Sequence, residues 1–448
     1  MDHPGDKSEI FQDIRHAKRL RKTLLVLSEH PAETVPKASG NASNSQSIYR
    51  FWSNKKVKQT DLLASHREAV VRRCVEAGVV LAIQDTTDLE YTTHEATKGL
   101  GYINQTKQQG IKVHSCIAVS AKGEPLGLLH QQSWTRKHRS GKKKERKKRP
   151  IQEKESYRWL QTVTGAEEGL AEKAKVIHLA DREADIFELF AQKRCANSEL
   201  LIRGEYNRRV KEEMGYLLPT IEQRVILGKM TINLERNPKR PARQATLQIR
   251  GMKVTLEVPQ NHPKPHNLEP VEINVLLVEE TEKPADGSQP IRWLLLTTLP
   301  IDNFTQAWQC VLWYSYRWLI ERFHFTLKSG CGVEKLQLQT RERLLKALAT
   351  YNIVAWRLMW LTYQARLNPD ASCQVVFSPP EWKLLRRKFQ PKNRSKKPPT
   401  LRQALIWIAR LGGFLARTGD GEPGLKTLWR GLSTFYHLLE GSQLVSTS

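Results

Sequence analysis

The chain has 448 residues, enough for about two to four domains and a sizeable core. Lys and Arg number 72 against 46 Asp and Glu, a formal net charge of +26, and a field of that size repels itself until a polyanion neutralises it. Nucleic acid is therefore the expected partner, and the absence of any run of about eighteen apolar residues argues against a membrane span.

Residues 9–29 read as a helix, with Ile10, Ile14, Ala17, Leu20, Leu24 and Leu27 at intervals of three and four and cations mostly off that stripe. "PAETVPKASGNASNSQ" reads as a loop, and "SIYRFWSNKKVKQTDLLASHREAVVRRC" as short helices with aromatics and cations interleaved. Residues 1–70 make a helical, basic N-terminal domain suited to DNA contact. From residue 78 the period changes to that of strands: "GVVLAIQD", then "IKVHSCIAVS" and "PLGLLHQQSW" joined by "AKGE". The basic segment 136–150, dense in like charges, reads as a loop. A helix, the strand "KVIHLAD", a second helix and the strand "ELLIRG" follow, giving the order β-β-β-α-β-α-β. That order predicts an α/β fold with a mixed five-stranded sheet and flanking helices. "KMTINLE", "ATLQIRG", "KVTLEV" and "VEINVLLVEE", within about 209–290, predict an all-β insertion. "IRWLLLTTLP" leads into one long helix over roughly 303–329, and a second apolar helix and a helical C-terminal region complete the chain. The predicted division is 1–70, 71–368 with the insertion, and 369–448. The six cysteines are scattered with no CxxC pair, and the N-terminus lacks the apolar core of a signal peptide, so a reducing, cytoplasmic setting is expected.

The stretch "YSYRWLIERFHFTLK" holds the most informative spacing. On an α-helix Tyr314 and Glu321 differ by about 20° in azimuth, as do Glu321 and Lys328, and Arg317 lies about 40° from Glu321. Arg317 and Glu321 alone fit a surface ion pair, but that pair does not explain Tyr314 and Lys328 on the same line. Asp85 ends "VVLAIQD" and Asp181 ends "KVIHLAD"; singly, the first fits a turn and the second a helix N-cap, with Glu183 and Asp185 as neighbours of Asp181. In a ribonuclease H-like arrangement the two strands are adjacent, and Glu321 approaches from a packed helix. Three converging carboxylates repel and hold protons unless cations intervene, and two Mg²⁺ ions, with Mn²⁺ as a substitute, suit hard oxygen ligands and in-line phosphoryl transfer.

Together these residues resemble the bacterial cut-and-paste DDE transposases of the Tn-five and IS-four type. The family signature Tyr-x2-Arg-x3-Glu-x6-Lys reads Tyr314, Arg317, Glu321, Lys328 with every interval intact. Its first acid follows a strand in a D-T-T context, here "IQDTTDLEY", and its second lies in "DREAD", here Asp181. "YRFW", "GLGYI", "PLGLLHQQSW", "EKESYRW", "RPARQATL", "WLLLTTLP" and "IARLGGF" extend the likeness from about residue 12 to 440. The resemblance implies an N-terminal region that binds transposon ends, a ribonuclease H-like catalytic core with Asp85, Asp181 and Glu321 as catalytic metal ligands, and C-terminal helices that hold a homodimer on double-stranded DNA. Water cuts one strand, the freed 3′-hydroxyl forms a hairpin on the opposite strand, the hairpin opens, and the same hydroxyl joins target DNA. Trp293 occupies the position of a stacking platform for a flipped base, with Tyr314, Arg317 and Lys328 on nearby phosphates and Arg203, Arg240 and Arg243 as further DNA contacts. A catalytically silent or domesticated DNA-binding relative, or a metal-dependent nuclease without strand transfer, is the competing expectation.

Overall fold

Side-chain caps decide where the N-terminal helices begin. In the computed structural model, which describes residues 11, 13–104, 107–136, 149–234, 241–263, 267–392 and 395–446, helix α1 (Ile14–Glu29) starts at Asp13, whose carboxylate accepts the Arg15 N–H at 2.9 Å. Helix α2 (Val35–Ala38) carries Pro36 in its first turn, and α3 (Ala42–Ser53) starts at Asn41, which accepts the Asn44 N–H at 2.9 Å. The stretch read as a loop thus contains two helix starts: Pro and Asn, both turn formers, serve here as first-turn and cap residues. Helix α4 (Gln59–Ala77) runs unbroken across residue 70 and closes on Gly78, whose φ of +69° a side chain would resist. Trp52, fully buried, seats α3 on the rest of the molecule by donating to Thr350 Oγ1 at 3.2 Å.

Ten strands form one sheet: β1 (Val79–Glu90), β2 (Gly101–Tyr102), β3 (Gln109–Ser120), β4 (Pro125–Trp134), β5 (Lys175–Ala180), β6 (Ser198–Arg203), β7 (Ile226–Leu234), β8 (Arg243–Leu256), β9 (Val271–Glu280) and β10 (Arg292–Thr297). Their order is β2-β3-β1-β5-β6-β10-β9-β8-β7, with β4 also on β3. β1, β5 and β6 are mutually parallel neighbours and every other pairing is antiparallel. Two expectations change here. The mixed sheet does not stop at five strands, because β10 pairs with both β6 and β9 and carries the later strands into the same sheet. "ATLQIRG" and "KVTLEV" are one strand, β8, since Gly251 lies inside it; a Cβ at that position would stand 2.7 Å from Leu227.

Helices α5 (Tyr157–Glu167), α6 (Phe187–Ala191) and α7 (Leu217–Glu222) are followed by α8 (Phe304–Ser315), α9 (Trp318–Phe325), α10 (Arg341–Leu367), α11 (Pro379–Phe389), α12 (Leu401–Leu411) and α13 (Leu425–Ser446). Alternation along β1 sorts the faces. Val80 and Ala82 pack with Val70, Cys74 and Ala166 of α4 and α5, while Leu81 and Ile83 pack with Leu319, Ile320 and Phe323 of α9 and with α10. The α10 spine is buried over most of its circumference and runs about 40 Å. Among the described residues no helix is long and apolar enough to cross a membrane, and all six cysteines are free.

The single helix expected over 303–329 is broken. Between α8 and α9, Tyr316, Arg317 and Leu319 donate to carbonyls three residues back, and the chain passes after α9 into a wide turn over Thr326–Gly330. No Pro or Gly marks the break, so periodicity could not reveal it. The Tyr316 ring lies over Gly123 of the β3–β4 turn, where a Cβ would come within 2.8 Å of it.

Burial also makes the fold sensitive to acid. His66 is fully enclosed, its Nε2 accepts the Leu128 N–H at 3.1 Å, and burial lowers its pKa to about 3. The unfolded chain therefore binds the His66 proton more readily between about pH 6.5 and 3, so this contribution to stability is full above 6.5 and is lost on acidification. Asp85 and Glu29, both pushed up to about 7, act in the opposite sense. The isolating measurement is the pH slope of the unfolding free energy for His66→Gln against the parent. The expected difference is about 1.4 kcal/mol per pH unit below 6.5; parallel slopes would contradict it.

Candidate carboxylate site and its basic surround

The parallel ladder between β1 and β5 runs from Val79 opposite Lys175 to Ile83 opposite Leu179. Two more positions in that register set Asp85 against Asp181, on one face, near the ~4.8 Å spacing of neighbouring strands. Asp85 does not end its strand, as its sequence context suggested. It stands where β5 stops, while β3 keeps pairing β1 as far as Glu90 opposite Gly110. By alternation from Leu81 and Ile83, Asp85 belongs to the face covered by α9, which carries Glu321.

The Asp85 carboxyl senses both of the other acids. Burial first, and then Asp181, push the Asp85 carboxyl up to about 7; Glu321 adds to the rise, while Arg317 and the Thr86 N–H, which donates to Asp85 Oδ1 at 2.7 Å, oppose it. Asp181 caps the turn after β5 by accepting the Glu183 N–H at 2.9 Å, so the N-cap role is real and uses one oxygen. Glu321, one-third exposed, is ion-paired with Arg317. The three do not close within 4.8 Å of one another. Hard oxygen donors, one of them driven towards protonation by burial first and by like charge second, form a donor set that suits Mg²⁺. Glu183 and Asp185 are engaged elsewhere: Glu183 with Arg158 at 2.7 Å, and the buried Asp185 with Arg208 and the N–H groups of Glu205 and Tyr206.

An aromatic and basic rim adjoins the acids. The half-buried Trp293 meets the buried Tyr314 edge-on, with centroids 5.2 Å apart and planes at 70°. Tyr314 lies within electrostatic reach of Arg317, Arg203, Asp181 and Arg182, and its pKa rises to about 12 chiefly through burial. Arg203 also donates to the Arg292 carbonyl at 3.2 Å. Lys328 stands further along β1, donating to the Asp88 carbonyl at 2.8 Å and pairing with Glu334 at 3.2 Å. Arg243 lies on β8, three strands beyond β6, and its guanidinium is held by Glu280 and Asp286. Arg240 and the basic residues 137–148 lie outside the described residues.

Behind Asp85, on the α5 face, runs a buried polar chain that no local spacing could disclose. Arg158 Nε donates to Thr86 Oγ1 at 2.9 Å. The Thr86 hydroxyl meets His114 Nδ1 at 2.9 Å, His114 Nε2 meets Gln84 Oε1 at 3.3 Å, Gln84 Nε2 meets His178 Nδ1 at 3.4 Å, and His178 Nε2 faces Glu167 at 3.4 Å. One proton arrangement satisfies the links from Arg158 to His178, with both histidines neutral and protonated at Nε2 and each group accepting from the Arg158 side; His178 Nε2 then faces Glu167 without completing a hydrogen bond. Burial drives both imidazoles to the neutral form, and the nearby His178 ring together with the bond from the Ser198 hydroxyl holds Glu167 down at about 2 against its own desolvation. The chain ties β3, β1 and β5 together immediately behind Asp85 and Asp181. Arg158 lies in "EKESYRW" and Arg182 in "DREAD", so their motifs were visible although their partners were not.

Comparison with known families places both ends of the chain. Residues 7–57 match the model described as transposase DNA-binding, and residues 353–447 match the model described as the transposase Tn5 dimerisation domain. The first match takes in α1 to α3, and the second begins inside α10 and covers α11 to α13. In class the protein is a DNA-binding transposase. It belongs to the Tn5-type transposases. Neither match reaches the sheet that carries the acids.

Proposed function

We propose that this chain is a cut-and-paste DNA transposase whose catalytic residues are Asp85, Asp181 and Glu321. The observation that carries the reading is the β1–β5 register, which sets Asp85 against Asp181 beneath the helix bearing Glu321, in a chain with transposase modules at both ends. The strands β4-β3-β1-β5-β6, three antiparallel and three parallel with β1 common to both sets, have the order of a ribonuclease H-like core, and β7 to β9 are its insertion. The division into an end-binding region to about residue 70, a catalytic region to 368 and a dimerisation region beyond follows the same reading. Asp85, Asp181 and Glu321 are the residues that hold Mg²⁺, two ions in all, with Mn²⁺ as a substitute. Bound there, the ions stabilise charge on the attacking and leaving oxygens of phosphoryl transfer. Arg317, held on Glu321 in this structure, exchanges that carboxylate for a DNA phosphate, an acceptor its planar fork suits equally. Arg203 and Lys328 bind adjacent phosphates. A homodimer assembled on double-stranded DNA in the bacterial cytoplasm, joining two transposon ends to a target, completes the picture.

The test is incubation of the full chain with Mg²⁺ and DNA carrying the inverted repeats that flank its gene. Hairpin and strand-transfer products are expected. Nicking alone would make the protein a nuclease, and a mobility shift without cleavage would make it a silent binder; either result overturns the proposal.

Trp293 is half-buried beside Tyr314, and its accessible part is the surface on which an extruded base would stack. Trp293→Ala is expected to slow hairpin formation by roughly 5–100-fold, the equivalent of about 1–3 kcal/mol of base stacking, with first-strand nicking spared. Equal slowing of both steps would place Trp293 in the core instead.

A further inference from the structure

A second cluster of metal-ligating side chains lies away from the carboxylates, where the N- and C-terminal helices meet. His30 caps the C-terminus of α1 and is 2% exposed. His437 and Glu440, three residues apart on α13, share one helix face. His30 Nε2 faces Glu440 at 3.5 Å, the His30 and His437 ring centroids are 4.6 Å apart, and one ligand atom from each of the three residues lies within 4.8 Å of the other two. His30 Nδ1 is buried without a hydrogen-bond partner, an unmet demand in a native interior. The neighbouring Glu29 lies within electrostatic reach of Glu381 and Glu440, with Arg357 opposing them, an acid-rich spot on a strongly basic protein.

We propose that His30, His437 and Glu440 form a transition-metal site that takes Zn²⁺. Two imidazoles and one carboxylate supply the nitrogen and oxygen donors that Zn²⁺ prefers, with a fourth position left for solvent. The ion clasps α1, within the segment matched to transposase DNA binding, to α13, within the matched dimerisation domain. The site is independent of the carboxylates on the sheet and takes a softer ion.

The probe is Co²⁺ added to the full chain after chelator treatment, in buffer with excess Mg²⁺ to saturate oxygen-rich sites. One equivalent is expected to bind with the intense visible band of tetrahedral cobalt, and Zn²⁺ should displace it. Asp181→Asn should keep the band. His437→Ala and Glu440→Gln, both at exposed positions, should lose it while melting like the metal-free parent; Zn²⁺ should raise the melting temperature of the parent alone. Absence of the band, or a band that survives in His437→Ala, would mean an adventitious ion only and would overturn the proposal.

Discussion

Glu321→Gln is expected to bind transposon-end DNA as the parent does and to lose strand cleavage by more than about 10³-fold, the upper range for one preorganised electrostatic group. The amide keeps the shape of the side chain and still accepts from Arg317, so α9 and its packing through Leu319, Ile320 and Phe323 stay in place. The partly buried Arg317 pair is kept by the amide, which still accepts from the guanidinium, and the melting temperature should barely move. What changes is the donor set: an uncharged oxygen replaces a carboxylate opposite Asp85 and Asp181. Single-turnover cleavage of end DNA in Mg²⁺, with affinity measured in parallel, checks both halves. Cleavage at the parental rate would remove Glu321 from the site and leave its pairing with Arg317 as its whole role.

The polar chain behind Asp85 leads to the second large effect. His114→Ala removes the link between Thr86 and Gln84 and also a ring packed edge-on against Trp159 at 4.5 Å. Cleavage should fall by roughly 10–100-fold, as when an outer partner of a metal ligand is lost, and more Mg²⁺ should be needed for half-maximal rate. His114→Gln should recover much of this, because its carbonyl can accept from Thr86 while its amide donates to Gln84, preserving the direction of the chain. The Mg²⁺ requirement is the discriminating readout. Loss of packing alone lowers stability without moving that midpoint, so an unshifted midpoint would reduce His114 to a core residue.

The Tyr314–Lys328 spacing shows how far the amino-acid sequence reaches. Tyr314, Arg317 and Glu321 do converge on one region, with Tyr314 against Trp293 and Arg317 on Glu321. The straight stripe that the spacing implied does not exist, since the helix breaks at Tyr316–Arg317 and widens at Thr326–Gly330, which leaves Lys328 on Asp88 and Glu334. Local periodicity carries no mark of such a break, which coincides with the seating of the Tyr316 ring over Gly123 in the β3–β4 turn. Arg243 shows what spacing leaves out: a conspicuous cation in a basic motif pairs with Glu280, 37 residues away, and Asp286.

What the chain's own pattern determined was chemistry and element type: a large positive charge, strands of period two around Asp85 and Asp181, helices of period 3.6, and the spacing around Glu321. These are properties of residues close in sequence, and caps, alternation and propensity act over a few positions. The tertiary structure alone decided which strands became neighbours, that the later strands joined the same sheet, and that Asp85 and Asp181 both lie just past the last pair of the parallel β1–β5 ladder. It also placed Gln84, His114 and His178, up to 94 positions apart, in one buried line. Parallel pairing and buried polar contacts join groups distant along the chain, and their partners are chosen by burial and register, which no short window of sequence contains.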